Sequence, residues 1–351
     1  MSRLSDLPRI TFGIIVLNGE PFTRYNLTAL YPFAHEIIVV EGAAPSARDF
    51  ATSSGHSADG TLDILRRFQR EEDPENKVIV VTAEDEGHAD GFWTEKDEMS
   101  QAYARRTTGS YLWQVDMDEF YRPEDMQKVI KMLADDPAIT AATFQVKTFW
   151  GGLTAHTDGI FLRWEAQNFH RLFAWEPGYE YVTHRPPTVR DDRGRDLRAR
   201  HAISGPEMAR CGIFLYHYSL VFPFQIDFKL AYYGNMDRSQ NIPLQHQRQR
   251  WHDNFFSLAD PLYVDDTSVL GEPSWLVSYP GPHPQVIRQL WQDIKAGSVT
   301  VRLRPTSDIE RLLHRPGYRV LTRMLPLFYA PREWSGRIRR AAGRLRRRLR
   351  R

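Results

Sequence analysis

YLWQVDMDEFY, residues 111–121, sets an apolar run directly against three acids, Asp116, Asp118 and Glu119. A short apolar run bounded by polar residues reads as a buried strand, and in an open α/β sheet ligands gather at the carboxyl ends of the strands. The acids stand at such an edge if the preceding chain builds the sheet. Its pattern says that it does: strand-like runs at 10–17, 36–42 and 77–81 alternate with helix-like spacing at 24–33, 57–68 and 94–109. That alternation predicts a mostly parallel, Rossmann-like sheet flanked by helices. Beyond Tyr121, residues 123–137 read as a helix and 141–150 as a strand, 151–224 as strands and loops, and 225 onward as mainly helical. The expected organisation is an α/β domain over 1–224 with halves 1–121 and 122–224, a helical extension over 225–333 packed on it, and a tail over 334–351.

Composition narrows the class. With 42% hydrophobic and 26% charged residues the chain can bury a sizeable core, and its single cysteine, Cys211, excludes an internal disulfide. No run approaches the ~20 apolar residues of a spanning helix, so neither a signal peptide nor a transmembrane segment is expected. The net charge of +2 hides an asymmetry, because nine arginines and no acid fall within 337–351, leaving the rest of the chain net acidic. Trp334, Ile338, Ala341, Ala342, Leu345 and Leu349 recur there at helical spacing. A basic amphipathic helix of this kind suits an anionic membrane surface better than nucleic acid. The location expected from this is cytoplasmic, or peripheral on the inner face of the cell membrane.

Four elements in order carry a family likeness. N-G-E at 18–20 resembles the turn after a first strand, E-I-I-V-V-E at 36–41 a second strand with a terminal acid, S-A-D-G-T at 57–61 an S-T-D-G-T element, and G-S-Y-L-W-Q-V-D-M-D-E-F at 109–120 a G-x-Y-x-x-x-x-D-x-D-E element. Together they resemble the nucleotide-sugar domain of family 2-like GT-A glycosyltransferases with a D-x-D motif. The resemblance implies a GT-A catalytic domain whose first half takes a nucleoside-diphosphate sugar and whose second half takes a hydroxyl acceptor, and the basic tail points to a cell-surface glycan or glycolipid as that acceptor. The loop over 42–58 is longer than the family pattern.

The chemistry accounts for the residue types. A departing nucleoside diphosphate gathers negative charge, which a divalent cation can bridge, and hard oxygen ligands suit Mg²⁺ or Mn²⁺. Asp118 is expected as a direct metal ligand, and Asp116 as a metal or ribose contact. The resemblance adds His217, in LYHY at 215–218, as a third metal ligand, which favours Mn²⁺. The resemblance also implies Asn18, Glu41 and Asp59 at the nucleotide, although Asp59 nearly as well suits a helix N-cap, and Lys96 is expected near its phosphates. Glu180 is expected as the general base on the acceptor side, with Glu176, His184, Asp191 and Asp192 left open. Trp150, Trp164 and Trp175 are expected either in the core or as platforms for sugar rings.

Two other classes fit less of the sequence. D-x-D phosphohydrolases of the haloacid dehalogenase type carry the motif on the first strand, and here three strand patterns precede it. Nucleotidylyltransferases share the sheet but need a glycine-rich phosphate loop, which GIIVLNGEP at 13–21 does not provide. A non-catalytic membrane-surface adaptor with a GT-A-like body is the remaining alternative.

Overall fold

The computed structural model describes residues 7–163, 167–265 and 273–327. The tail at 334–351 and Trp164 lie outside these residues. The first half is the alternating unit: β1 (Ile10–Val16), α1 (Thr23–Leu30), β2 (Glu36–Glu41), α2 (Thr61–Glu71), β3 (Val78–Val81), α3 (Lys96–Arg106) and β4 (Tyr111–Gln114). These strands are parallel and lie in the order β3-β2-β1-β4. β1 and β2 are buried almost throughout, as near-continuous apolar strands covered on both faces must be. Gly13 allows the close approach of α3, because a Cβ there would lie 2.6 Å from the Tyr103 ring.

The second half turns antiparallel. After β5 (Glu119–Phe120) and α4 (Pro123–Asp135) come β6 (Ala141–Trp150), β7 (Ala155–Gly159) and β8 (Asn168–Ala174), with β8 inserted between β4 and β6. β6 is long enough to serve several partners, chief among them β8, which pairs with residues 141–145, and β12 (Leu215–Leu220), which pairs with 146–150. Between them, β9 (Glu180–Thr183) and β10 (Thr188–Arg190) form a separate hairpin, followed by β11 (Ala202–Ile203) and α5 (Gly205–Arg210). β12 also pairs antiparallel with β5, setting His217 opposite Glu119.

From Pro223 the chain is mainly helical: α6 (Pro223–Ser239), α7 (Gln245–Ser257), α8 (Gln285–Ala296) and α9 (Ser307–His314), then helical residues 316–327. The exception is β13 (Ser274–Ser278), which pairs with β7 at the sheet's far edge and so ties the helical stretch into the sheet. α1, α2, α4 and α8 cover one face around Phe12, Trp113 and Phe144, the last two rings stacked with centroids 5.3 Å apart. α3 and the β9–β10 hairpin cover the other, around Tyr103 and Tyr181. Trp150 belongs to the core, where its indole N–H donates to the Val264 carbonyl at 2.7 Å.

Candidate active site

A cleft of about 1320 Å³ opens at the carboxyl edge of β1, β2 and β4 and is walled by β8, β12, α6 and the loop at 184–187. It is larger than the ~300–1,000 Å³ usual for one small ligand. Of the sequence-derived candidates, Asn18, Asp59, Lys96, Asp116, Asp118 and His217 line it. Glu41 and Glu180 do not.

The turn after β4 puts its two aspartates in different surroundings. Asn26 pins the turn by donating from its side-chain amide to the carbonyls of Met117 and Glu119, at 3.1 and 2.9 Å. Asp116 then faces Arg171 of β8, whose guanidinium donates to Asp116 Oδ2 at 2.8 Å and also to Glu119 Oε1. Burial opposes the charge on Asp116, but Arg171, with Arg185 3.8 Å away, holds this carboxyl well below the ordinary carboxylate range. Glu119 is fully buried, and its burial outweighs the pull of Arg171, so its carboxyl is pushed up.

Asp118 faces the open side. Its Oδ1 lies 3.4 Å from His217 Nε2, and the Tyr218 N–H donates to the Asp118 carbonyl at 2.9 Å, which fixes the turn against β12. Burial works against ionisation in both side chains, yet their mutual attraction wins: the Asp118 carboxyl is lowered and the His217 imidazole raised.

The geometry tests the expected metal site. Adjacent ligands around an ion with ~2.1 Å bonds lie roughly 3 Å apart, close to the Asp118–His217 separation. These two fit as an oxygen and an imidazole ligand of one divalent ion. Asp116 is already bonded to Arg171, and among the described residues no group of three or more His, Cys, Asp or Glu is arranged to hold a metal. Water and substrate phosphate would have to complete such a shell, as is usual for ions bound together with phosphates.

The other candidates have clear structural duties. Asn18 adopts a left-handed conformation at φ 56° and ties the β1 turn to the long loop, accepting from the Ala58 N–H at 2.7 Å and donating to the Phe50 carbonyl at 2.8 Å. Asp59 accepts from the Thr61 N–H and hydroxyl at 3.1 and 2.6 Å, and from the Glu20 N–H at 2.9 Å, so it secures the start of α2 while facing the cleft. Lys96 begins α3 with its ammonium 4.8 Å from the Tyr232 ring centre. Glu41, expected at the nucleotide, is instead sealed under the long loop, accepting from the Ser57 N–H at 2.7 Å and bonded to His56 at 2.9 Å. Glu180, expected at the acceptor, is exposed on β9, because strand alternation turns the neighbouring Tyr181 inward to Gln114. Of the residues left open, His184 reaches the cleft, Asp191 pairs with Arg195 and Arg200, and Glu176 and Asp192 are exposed.

The sheet order β3-β2-β1-β4, continued by antiparallel β8 and β6 and carrying its acids at the carboxyl edge, decides the architecture. The fold is GT-A-like. No protein-family model and no curated relative matches the sequence. Among solved structures, the chain is similar to Staphylococcus aureus TarS 1–349, with 10% identity over 74% of this chain and 75% of that one at a TM-score of 0.37. It is also similar to TarS 1–349 in complex with UDP-GlcNAc, with 16% identity over 44% and 38% at 0.30. A third is Mycobacterium tuberculosis glucosyl-3-phosphoglycerate synthase with Mn²⁺, UDP and glucosyl-3-phosphoglycerate, with 18% identity over 41% and 44% at 0.27. The chain thus spans less than half the length of two of these three.

On this GT-A-like frame, sequence reasoning missed Arg171 and Arg185 and left His184 open. Arg171 had a signal: an arginine inside the apolar strand NFHRLFA cannot be buried without an acid partner. It is 5% exposed. His184 and Arg185 enter the cleft through the fold of their loop, which local pattern does not encode. His184 is held by Ser100 at 2.9 Å, and burial pushes its imidazole down to about 3.

Proposed function

We propose that this protein is a glycosyltransferase that moves a sugar from a nucleoside-diphosphate donor to a hydroxyl acceptor, using Mn²⁺ or Mg²⁺ held by Asp118 and His217. The observation that carries the reading is the Asp118–His217 pair at 3.4 Å in the mouth of a large cleft at the ends of the parallel strands. The ion would supply charge stabilisation to the departing diphosphate. Lys96, Arg185 and Lys229 line the same cleft and give the phosphates cationic surroundings. Asp116, bonded to Arg171, holds the floor and presents its outer edge to ribose or to metal-bound water. Phe169 and Phe228, also in the lining, offer apolar faces to sugar or base.

The acceptor is proposed to be a glycan or glycolipid of the cell surface, reached from the cytoplasmic side through the arginine-rich tail. No described helix is long and apolar enough to cross a membrane. The test is calorimetric titration of UDP, GDP, CDP and dTDP, each with Mn²⁺, with Mg²⁺ and with chelator, against wild type and Asp118→Ala. One nucleotide should bind only with metal, and the variant should lose that dependence. Absence of binding by all four with either metal would overturn the reading and leave the adaptor.

A further inference from the structure

The last described helix, residues 316–327, is built with two faces. Tyr318 and Leu325, one heptad apart, point into the body, where they pack with Ile160, Trp275 and Leu312. The Tyr318 hydroxyl accepts from the Leu276 N–H at 2.9 Å, so the helix is fastened to β13 at the sheet's edge. On the opposite face Val320, Met324 and Leu327 follow at intervals of four and three, which aligns them in one stripe. They are 56%, 43% and 73% exposed. Surface apolar residues scattered singly need no explanation, but an aligned and uncovered stripe does.

Charge says what covers it. Arg311, Arg315, Arg319 and Arg323 recur every four residues, all are exposed, and no acid occurs between 311 and 327. None of the four makes an ion pair with another described residue. Arg319 and Arg323 lie beside the apolar stripe on the helix wheel, so cationic groups and exposed apolar side chains share one outward surface. A polyanion such as nucleic acid would use the arginines and gain nothing from Val320, Met324 and Leu327. An anionic lipid surface uses both, taking the stripe below its headgroups and the guanidiniums at their phosphates.

We propose that the outward face of residues 316–327 is a docking surface for an anionic lipid bilayer, fixed to the folded body rather than carried on the tail. The inference rests on the lipid-surface part of the reading above but on different residues, and the test separates the two. Full-length protein is sedimented with vesicles of phosphatidylcholine alone and of phosphatidylcholine mixed with phosphatidylglycerol. Wild type should bind the mixed vesicles. The combined variant Val320→Glu, Met324→Glu and Leu327→Glu should bind them at least ~10-fold more weakly, and Arg319→Gln with Arg323→Gln several-fold more weakly with a shallower salt dependence. All positions changed are exposed, and an unaltered thermal melt verifies that the variants fold.

Wild-type binding by the glutamate variant overturns the proposal. If removal of 334–351 abolishes binding while the helix variants bind normally, the tail alone is the anchor and the proposal also fails. Loss of concentration-dependent self-association in the glutamate variant, without a change in vesicle binding, would assign the face to a second copy of this chain. Binding of RNA and vesicles alike, insensitive to the glutamates, would assign it to polyanions in general.

Discussion

The floor and the wall of the cleft solve opposite problems with the same kinds of side chain. On the floor, Arg171 and Glu119 are buried and Asp116 is half-buried, and one guanidinium serves both carboxylates. On the wall, Asp118 and His217 face each other at 3.4 Å with part of each exposed. The floor satisfies Glu119 internally and leaves only the outer edge of Asp116 facing the cleft. The wall holds its groups near one another with their outer valences open. Asp116 and Asp118 therefore leave one turn in different directions, the first toward Arg171 and the second toward His217.

The largest effect should come from breaking the floor. Arg171→Met leaves the buried Glu119 carboxylate and the half-buried Asp116 carboxylate without their shared cation and should cost roughly 3–5 kcal/mol in urea unfolding. Adding Glu119→Gln should return most of that loss, and a double variant no better than the single would show that Arg171 acts through packing instead. The wall should respond in the reverse manner. His217→Gln should change stability by no more than ~1 kcal/mol, as expected for a partly exposed pair, while removing the metal dependence of nucleotide binding in calorimetry.

A third variant sharpens the boundary between support and ligand contact. Asp59→Ala removes the acceptor for Thr61 at the start of α2 and should lower stability by about 1 kcal/mol. Nucleotide affinity that falls more than stability does would move Asp59 from the scaffold to the binding surface.

The last effect appears only on acidification and lies away from both. His283 accepts from the Tyr218 hydroxyl at Nδ1, 2.8 Å away, and donates from Nε2 to the Leu153 carbonyl at 3.0 Å. Burial pushes its imidazole down to about 4. The unfolded chain takes up that proton first, near the ordinary ~6.5, so stability is lost as pH falls from there toward about 4. His283→Gln should flatten this part of a plot of melting temperature against pH, and an unchanged slope would place the acid sensitivity elsewhere.

The same contrast explains what the sequence disclosed. The strands β1 to β4 and the helices between them fall where apolar pattern put them, because buried parallel strands and amphipathic helices each write a local period. β6 is legible at both ends for the same reason. The acids following β4 are legible because a sheet's carboxyl edge follows directly from strand order. His217 was reached only through resemblance, since its place beside Asp118 depends on β12 pairing with β5 nearly a hundred residues earlier in the chain. Glu41 and Glu180 show the limit from the other side: an acid at a strand end is adjacent to a site in sequence terms, yet loop closure over one and strand alternation at the other direct both carboxylates away. β13 was missed because SWLVS is a single short run with a serine at each end, lying in a stretch of helical character.

The double pairing of β6 has a consequence for how this protein can vary. One half of the strand sets the height of Arg171 and the other sets that of His217, so β6 works as a ruler between them. Inserting or deleting one residue within it would displace one end relative to the other by ~3.3 Å and turn the following side chains to the opposite face. Differences in length among descendants of this chain should therefore collect in the 42–58 and 184–187 loops and be absent from 141–150.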